Sequence, residues 1–173
     1  MRSSIVTLWL VLLALPAAAQ YAQPRWTADA RTGCRVWNSA PEPGDSVSWT
    51  GGCRNGLAQG QGVLQWFMDG KPASRFEGDY RDGLLDGKGV YIFANGARYE
   101  GEYRDDLRHG RGLLIEPDGT SYDGEWRQGL PNGQGTLKEA NGTLVSGTWT
   151  NGCLRDGNRL AAFMSSRKTC GFE

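Results

Sequence analysis

A six-residue pattern recurs at a fixed interval of 23 residues in the middle of this 173-residue chain. In each copy an aromatic residue, an acid, a glycine, a second acid, a second aromatic residue and an arginine follow one another. The three clear copies are Phe76–Arg81, Tyr99–Arg104 and Tyr122–Arg127. A fixed period of this length restricts the chain to a repeat architecture, in which each unit packs against its neighbours.

Each of these copies continues through a pair of glycines into a turn dipeptide. The pairs are Gly87/Gly89, Gly110/Gly112 and Gly133/Gly135, and the turn dipeptides end at Gly96, Gly119 and Gly142. Alternation of aromatic residues with glycine indicates a strand with one aromatic face, and Asn-Gly or Asp-Gly favours a tight turn. Each unit is therefore predicted to be a β-hairpin, with Pro117 and Pro131 at turns.

Glycine is the residue that distinguishes the repeats from the rest of the chain. The region between Trp49 and Gly152 holds 22 of the 26 glycines. Because glycine weakens a strand unless something packs closely against it, we expect an aromatic ring from the neighbouring repeat to lie over each strand glycine.

Two less regular copies flank the three clear ones. The first begins at Trp49 and has Cys53 at the second aromatic position, and the last begins at Val145. The predicted repeats are residues 49–75, 76–98, 99–121 and 122–144, with a partial copy at 145–152. Terminal copies of this kind commonly act as caps.

The repeated unit resembles the MORN repeat, whose pattern is close to Tyr-x-Gly-x-Trp-x-x-Gly-x-x-x-Gly-x-Gly. This resemblance implies an all-β, single-domain fold, in which repeated β-hairpins form one elongated, twisted antiparallel sheet. It also implies a binding or scaffolding role in place of catalysis. The framework positions that match are Phe76, Gly78, Tyr80, Gly87, Gly89, Tyr99, Gly101, Tyr103, Gly110, Gly112, Tyr122, Gly124, Trp126, Gly133 and Gly135. One departure is Asp106, which stands where the other copies have glycine.

The first 19 residues have the layout of a secretory signal peptide. Arg2 is followed by the apolar run Ile5–Leu15 and by small residues up to Ala19, as such signals require. We therefore predict cleavage near Ala19 and export to the periplasm or the cell exterior. Without Arg2 the chain carries 18 basic and 19 acidic residues, so no net charge attracts nucleic acid or anionic lipid.

Export makes disulfides the expected state of the four cysteines, and composition alone leaves three pairings open. Four repeats of two strands would separate Cys53 from Cys153 by about 38 Å. That distance is too long for a bond between the two ends of the sheet. We therefore predict the pairs Cys34–Cys53 and Cys153–Cys170.

Each disulfide would fasten a non-repeat segment over an outer strand, which would otherwise be open to edge-to-edge pairing. The predicted N-terminal cap is residues 20–48, and the predicted C-terminal cap is residues 153–173. Within the second cap, Leu160–Met164 is expected to form one helical turn.

The second strands of the repeats differ from one another more than the first strands do. The early copies place Trp66, Phe67, Tyr91 and Phe93 where later copies have aliphatic or charged residues. Because residues that vary between repeats are not needed for the fold, we predict a partner-binding surface at these four rings. The alternative is that Trp37 and the segment around Cys34 cover the rings as a cap.

Carboxylate pairs two residues apart occur in each clear copy. They are Glu77/Asp79, Glu100/Glu102 and Asp123/Glu125. Their separation of about 6.6 Å along a strand is near that used by inverting glycosidases. The threefold repetition and the following arginines, Arg81, Arg104 and Arg127, favour exposed ion pairs instead. The single histidine, His109, is predicted to be a structural turn residue.

We therefore predict a non-enzymatic module with no cofactor and no metal site. The leading hypothesis is a scaffold that binds an envelope or extracellular protein, or that self-associates through an edge of the sheet. The alternative hypothesis is a carbohydrate or cell-wall binding module that stacks sugars on its rings. A third hypothesis is a glycoside-cleaving enzyme that uses one carboxylate pair.

Overall fold

A computed structural model describes residues 23–172, and the predicted signal peptide lies outside these described residues. The described chain forms fourteen strands and contains no helix. The strands are β1 (Arg25–Ala28), β2 (Arg35–Asn38), β3 (Asp45–Trp49), β4 (Gly52–Arg54), β5 (Leu57–Met68), β6 (Lys71–Arg81), β7 (Leu84–Ile92), β8 (Arg98–Arg104), β9 (Leu107–Ile115), β10 (Ser121–Arg127), β11 (Leu130–Lys138), β12 (Leu144–Thr150), β13 (Cys153–Asp156) and β14 (Arg159–Ala162).

The strands form one open sheet whose order follows the chain. From β5 to β14 each strand pairs with the next, and β3 and β4 pair with two different parts of the long strand β5. Every pairing between these strands is antiparallel except that of β2 with β5. The predicted all-β sheet of repeated hairpins is confirmed. The outer strands of the sheet are β1 and β14. Self-association through one of these edges stays a prediction.

The two strands of each hairpin are joined by a tight turn of two residues. Both residues have positive φ, as in Asp82 (50°) with Gly83 (83°) and Gln128 (50°) with Gly129 (82°). Such a turn matches the twist of antiparallel strands. The Asn-Gly and Asp-Gly dipeptides noted in the sequence lie instead in the loops that connect one repeat to the next.

The strand glycines form one continuous row across the sheet. They pair in the order Gly62, Gly78, Gly89, Gly101, Gly112, Gly124, Gly135, Gly147. A Cβ added to Gly78 would lie 2.7 Å from the ring of Phe76, and one added to Gly101 would lie 2.6 Å from the hydroxyl oxygen of Tyr99. The expected ring is therefore present, but it comes from the same repeat and not from the neighbouring one, because the first aromatic side chain folds back over its own strand.

The second aromatic residue of a repeat makes the connection to the preceding repeat. Trp126 Nε1 donates to the carbonyl of Gly112 at 2.8 Å, and Trp149 Nε1 donates to that of Gly135 at 3.1 Å. The rings of successive repeats also meet edge to face, with 5.4 Å between the centroids of Tyr99 and Trp126. These rings are buried, so the core of the sheet is a ladder of aromatic side chains held over glycines.

Both predicted disulfides are present. Cys34 is bonded to Cys53 and Cys153 to Cys170, with Cα–Cα distances of 5.7 Å and 5.5 Å. The prediction of a helical turn in the C-terminal cap is wrong. Residues of that segment form β14, which pairs with β13 in a small hairpin.

Two residues predicted at turns lie within strands. Pro131 is the second residue of β11, faces Trp126 in the register and is fully buried. His109 lies in β9 opposite Glu102. Proline is tolerated at position 131 because the neighbouring strand needs no N–H donor there. It needs only the Pro131 carbonyl, which accepts from the Gly152 amide at 2.9 Å.

A buried carboxylate holds the N-terminal cap to the first repeat. Asp29 has only 1% of its surface exposed and accepts from the backbone amides of Trp49 at 2.7 Å and Arg31 at 2.7 Å. Burial raises the pKa of Asp29. The hydrogen bonds from Trp49, Arg31 and Thr32 lower it by more, so the pKa lies below its usual value of 3.8.

Asp29→Asn is expected to lower the free energy of unfolding by about 1–3 kcal/mol at neutral pH, because an amide replaces an acceptor-only carboxylate. Since the folded pKa lies below the unfolded one, the carboxylate stabilises the fold fully above the ordinary value of 3.8 and loses this effect as the pH falls through the folded pKa. In urea denaturation, the difference in the free energy of unfolding between wild type and Asp29→Asn should therefore become smaller below about pH 4. Asp156→Asn, at an exposed ion pair, is the control; a difference that does not depend on pH would contradict this role.

Candidate functional site

The four rings predicted as a partner site lie around one groove of about 400 Å³. Trp66 and Phe67 come from the end of β5, and Tyr91 and Phe93 come from the end of β7 and the loop after it. All four are half-buried. The centroids of Tyr91 and Phe93 are 4.4 Å apart, with the ring planes 32° from parallel. The structure thus brings the predicted residues together, although it holds no partner.

The first repeat, which carries Trp66 and Phe67, is longer than the others. β5 and β6 have 12 and 11 residues, whereas the equivalent strands in later repeats have nine and seven. The register between β5 and β6 shifts between Gln65 and Phe67, and a bulge of this kind redirects the side chains around it. Strand β3 pairs with the same end of β5, opposite Trp66.

The N-terminal cap forms one wall of the groove. Trp37, Asn38, Ser39 and Ala40 line it across from the rings. The four rings keep some exposed surface, and the alternative that this segment covers them stays a prediction.

Asp106 lines the same groove and departs from the repeat pattern. It is the second residue of its turn and has a φ of 66°, at the position where other repeats have glycine. Its Oδ1 accepts from the Leu85 amide at 2.7 Å. Burial raises the pKa of this carboxyl, the Leu85 amide lowers it and Asp105 raises it, with a net pKa of about 6.

Arg108 is a second departure in the same repeat, and sequence analysis missed it. The equivalent positions in the other repeats are Ala58, Leu85, Pro131 and Leu154, all buried and apolar. The Arg108 guanidinium instead lies 4.9 Å from the centroid of Trp126, and its Nη2 donates to the Gly129 carbonyl at 3.2 Å. Aligning the second strands repeat by repeat would have revealed this charge within an apolar row.

Tyr103, in the same repeat as Asp106 and Arg108, has a hydroxyl without a hydrogen-bond partner in the described part of the chain. Tyr103 lines the groove, and its Oη is buried. Burial raises the pKa of Tyr103 and also that of Tyr80 beside it, so both phenols are neutral. Buried polar atoms without partners are few in folded proteins, and this one lies at the wall of the groove.

The carboxylate pairs lie on the opposite, polar face, where Glu77, Glu100 and Glu102 line a shallow concavity of about 690 Å³. The second carboxylate of each pair bonds to its own hairpin. Asp79 accepts from the Lys88 amide at 3.2 Å, Glu102 from the Arg111 amide at 3.2 Å and Glu125 from the Gln134 amide at 3.0 Å. These acids lie over three glycines of positive φ, Gly87, Gly110 and Gly133, at the points where the strand register shifts. The recurrence of the acids therefore has a structural cause.

The predicted exposed ion pairs are present in a different arrangement. Glu77 pairs with Arg75 and Glu100 with Arg98, each along its own strand. Arg81 pairs with Asp86 across its hairpin. Arg104 and Arg127 form no ion pair within residues 23–172, so the prediction is wrong for these two.

Within the same residues, no three His, Cys, Asp or Glu side chains are grouped so that they could hold a metal ion. The described chain also has no helix long and apolar enough to span a membrane.

The sequence model described as MORN repeat matches four consecutive segments, residues 49–71, 76–98, 99–121 and 122–144. No curated protein matches the chain. The match reproduces the predicted repeats, except that residues 72–75 and the partial copy at 145–152 fall outside it.

Proposed function

Because the chain belongs to the MORN-repeat family, whose matched segments cover more than half of its length, we propose that it is a non-enzymatic module that binds a protein partner in the groove. MORN repeats in general serve as binding or scaffolding units and not as catalysts. The hairpins and the ring ladder supply the rigid support that such a site needs.

One observation carries the placement of the site. Residues in which the repeats differ from one another converge on the groove, where they meet the framework tyrosines Tyr80 and Tyr103. Trp66, Tyr91 and Phe93 come from the early repeats, and Asp106 and Arg108 come from the second clear copy, residues 99–121. Half-buried aromatic rings with an arginine among them are typical of the centre of a protein interface.

We further propose that the protein acts in an oxidising compartment, either the periplasm or the cell exterior. The two disulfides support this proposal, because structural disulfides persist where thiols are not kept reduced. The apolar segment Ile5–Leu15 supplies the signal for export. The partner is accordingly expected to be an envelope or extracellular protein.

The double variant Trp66→Ala/Phe93→Ala is expected to reduce partner recovery from envelope extract at least about tenfold, the loss typical of a hot-spot ring. Ile115→Ala/Leu144→Ala removes exposed apolar residues elsewhere and serves as the control. Both variants are compared with wild type by quantitative pull-down after their thermal unfolding has shown that they are folded. Equal recovery by wild type and the ring variant would contradict the site.

A carbohydrate ligand is the second candidate, favoured by the pair of rings formed by Tyr91 and Phe93. Their planes lie 32° apart and keep exposed surface, and such surfaces stack against the apolar faces of sugars. Retention on insoluble cell wall, with release by free sugar and loss in Tyr91→Ala, would place this candidate ahead of a protein partner.

A further inference from the structure

The N-terminal cap crosses the hairpin turns in a regular way. The Arg35 amide donates to the carbonyl of Gly56 at 3.0 Å, and the Trp37 amide donates to that of Gly83 at 3.0 Å. Gly56 and Gly83 are the second residues of the first two hairpin turns. Amides two residues apart on β2 therefore bind the carbonyls of successive turns, as in a strand laid across them.

This strand ends one turn short of Asp106. After Asn38 the chain folds back, because the Ala40 amide donates to Asn38 Oδ1 at 3.2 Å and Asn38 Nδ2 donates to Asp45 at 3.0 Å. The third turn, at Asp106, thus lies next along the path of β2 without a strand over it. Within residues 23–172 no group donates to the Asp106 carbonyl.

The remaining two turns are occupied. The Gly129 carbonyl accepts from the Arg108 side chain at 3.2 Å, and the Gly152 carbonyl accepts from the Phe163 amide at 2.8 Å. Among these five hairpin turns of the described chain, the turn at Asp106 is therefore the one whose carbonyl accepts no hydrogen bond. It is also the turn that carries a carboxylate in place of glycine. It lies at the end of the groove, beside the cap residues Trp37–Ala40.

We propose that an extended, basic segment of a partner protein continues the path of β2 over this third turn. It donates a backbone N–H to the Asp106 carbonyl, and it places a lysine or arginine side chain against the Asp106 carboxylate. This inference rests on the proposed function and names the chemistry of the partner. Strand addition of this kind takes affinity from the backbone and specificity from alternate side chains.

The charges of the groove favour a basic occupant. Its acidic residues are Glu42, Asp45 and Asp106, and its one basic residue is Arg108. Arg108 is turned onto the Trp126 ring and the Gly129 carbonyl, and Asp45 already accepts from Asn38 and from the Glu42 amide. Only Oδ1 of Asp106 is used, by Leu85, so Oδ2 is the acceptor best placed for an incoming cation.

The same geometry predicts the spacing of the partner's side chains. In an extended strand, alternate residues lie about 6.6 Å apart on one face. A basic residue over Asp106 would therefore be followed, two positions along on the same face, by an apolar residue that reaches the rings of Tyr91 and Phe93, which line the same groove. The expected motif is a basic and an apolar residue two positions apart.

The test uses as its probe a fluorescein-labelled nine-residue peptide that has lysine and valine in turn at every second position and threonine between them, so that both side chains lie on one face. Fluorescence anisotropy is measured with wild type, with Asp106→Asn and with Asp105→Asn. Asp106→Asn keeps an acceptor for the Leu85 amide and a residue type that tolerates the positive φ, while it removes the charge. Asp105 is the exposed neighbour in the same turn, so its variant is a matched control.

Asp106→Asn is expected to weaken binding of the lysine peptide about tenfold, which corresponds to about 1.4 kcal/mol. Asp105→Asn should change it less than about twofold. Replacing lysine by glutamate in the probe, or methylating its backbone nitrogens, should remove binding. No binding by wild type, or equal binding by wild type and Asp106→Asn, would overturn the proposal.

A pH series provides a second readout. With its pKa of about 6, Asp106 is ionised at neutral pH and becomes protonated in mild acid. The groups that face it are Asp105 in its own turn, Tyr80, Tyr91 and Tyr103 from the neighbouring strands, and Arg108. The tyrosines and the arginine keep their charge state in this range. Affinity for the lysine peptide should therefore fall between about pH 7 and pH 5 in wild type and stay constant in Asp106→Asn.

The failure of this inference is separable from that of the proposed function. If partner recovery depends on Trp66 and Phe93 but is unchanged in Asp106→Asn, the groove binds a protein that does not use the third turn. If neither variant changes recovery, the groove is not the binding site.

Discussion

Replacing Gly101 with alanine is expected to lower the free energy of unfolding by about 3 kcal/mol or more. An added Cβ would lie 2.5 Å from the Cα of Gly112 and 2.6 Å from the carbonyl oxygen of Arg111. Both atoms belong to the backbone of the facing strand, so neither can move without breaking the pairing of β8 with β9. The Tyr99 hydroxyl, 2.6 Å away, would be displaced as well.

Gly119→Ala is the matched control in the same repeat. No atom lies within 4 Å of the position of its Cβ, but its φ is +86°, so the cost is backbone strain of about 1–2 kcal/mol. Urea denaturation followed by tryptophan fluorescence measures both variants. Equal losses would contradict the view that close contact, and not backbone conformation, requires glycine in the row across the sheet.

The period of the sequence was enough to predict the hairpins and the glycines within their strands, because both depend on local alternation. It could not say which ring covers which glycine. Phe76 lies two residues before Gly78 on the same strand, while Gly89 of that hairpin also pairs with Gly101 of the neighbouring repeat, so either repeat could supply the ring by register alone. The side-chain rotamer decides between these possibilities, and a residue pattern does not contain it.

The sequence predicted the rings of the candidate site but not the position of the cap beside them. Trp66, Phe67, Tyr91 and Phe93 could be identified because they differ between repeats. The position of the cap that faces them depends on hydrogen bonds between Trp37 and the turn at Gly83, which are remote in sequence.

Arg108 was not identified from the sequence because the equivalent positions of the repeats can be compared only when the strand register is known. Asp106 was recognised as a departure from glycine, but its proximity to the groove was not predicted. Both residues belong to one repeat, and both change the charge of a surface that the repeat framework leaves neutral. Their coincidence in one hairpin is the basis of the proposed binding site.

The acids of the repeat show the opposite case, in which a suggestive pattern has a structural cause. Two carboxylates on one strand face match the spacing of a catalytic pair. In the structure, Glu102 instead accepts from the Arg111 amide and covers Gly110. A carboxylate that satisfies the backbone at the register shift recurs in each of the three clear copies for that reason.

Removing the disulfide of the N-terminal cap, by Cys34→Ala/Cys53→Ala, is expected to lower the free energy of unfolding by about 3 kcal/mol. The bond closes a loop with a sequence separation of 19 residues, and Cys34 itself is 2% exposed. Because the strands of a repeat contact only their neighbours, the loss should be local. Hydrogen exchange should show faster exchange at the amides of Arg35 and Trp37, with little change in β8–β11.

The matched control is Cys153→Ala/Cys170→Ala, which removes the bond at the other end of the sheet. It should speed exchange at Phe163, whose amide binds the Gly152 carbonyl, and leave Trp37 unchanged. Since the cap forms one wall of the groove, only the N-terminal double variant should also lose the lysine peptide, by about tenfold. Uniformly faster exchange along the sheet in either variant would show that caps and repeats unfold as one unit, and unchanged peptide binding would show that the groove does not need its cap.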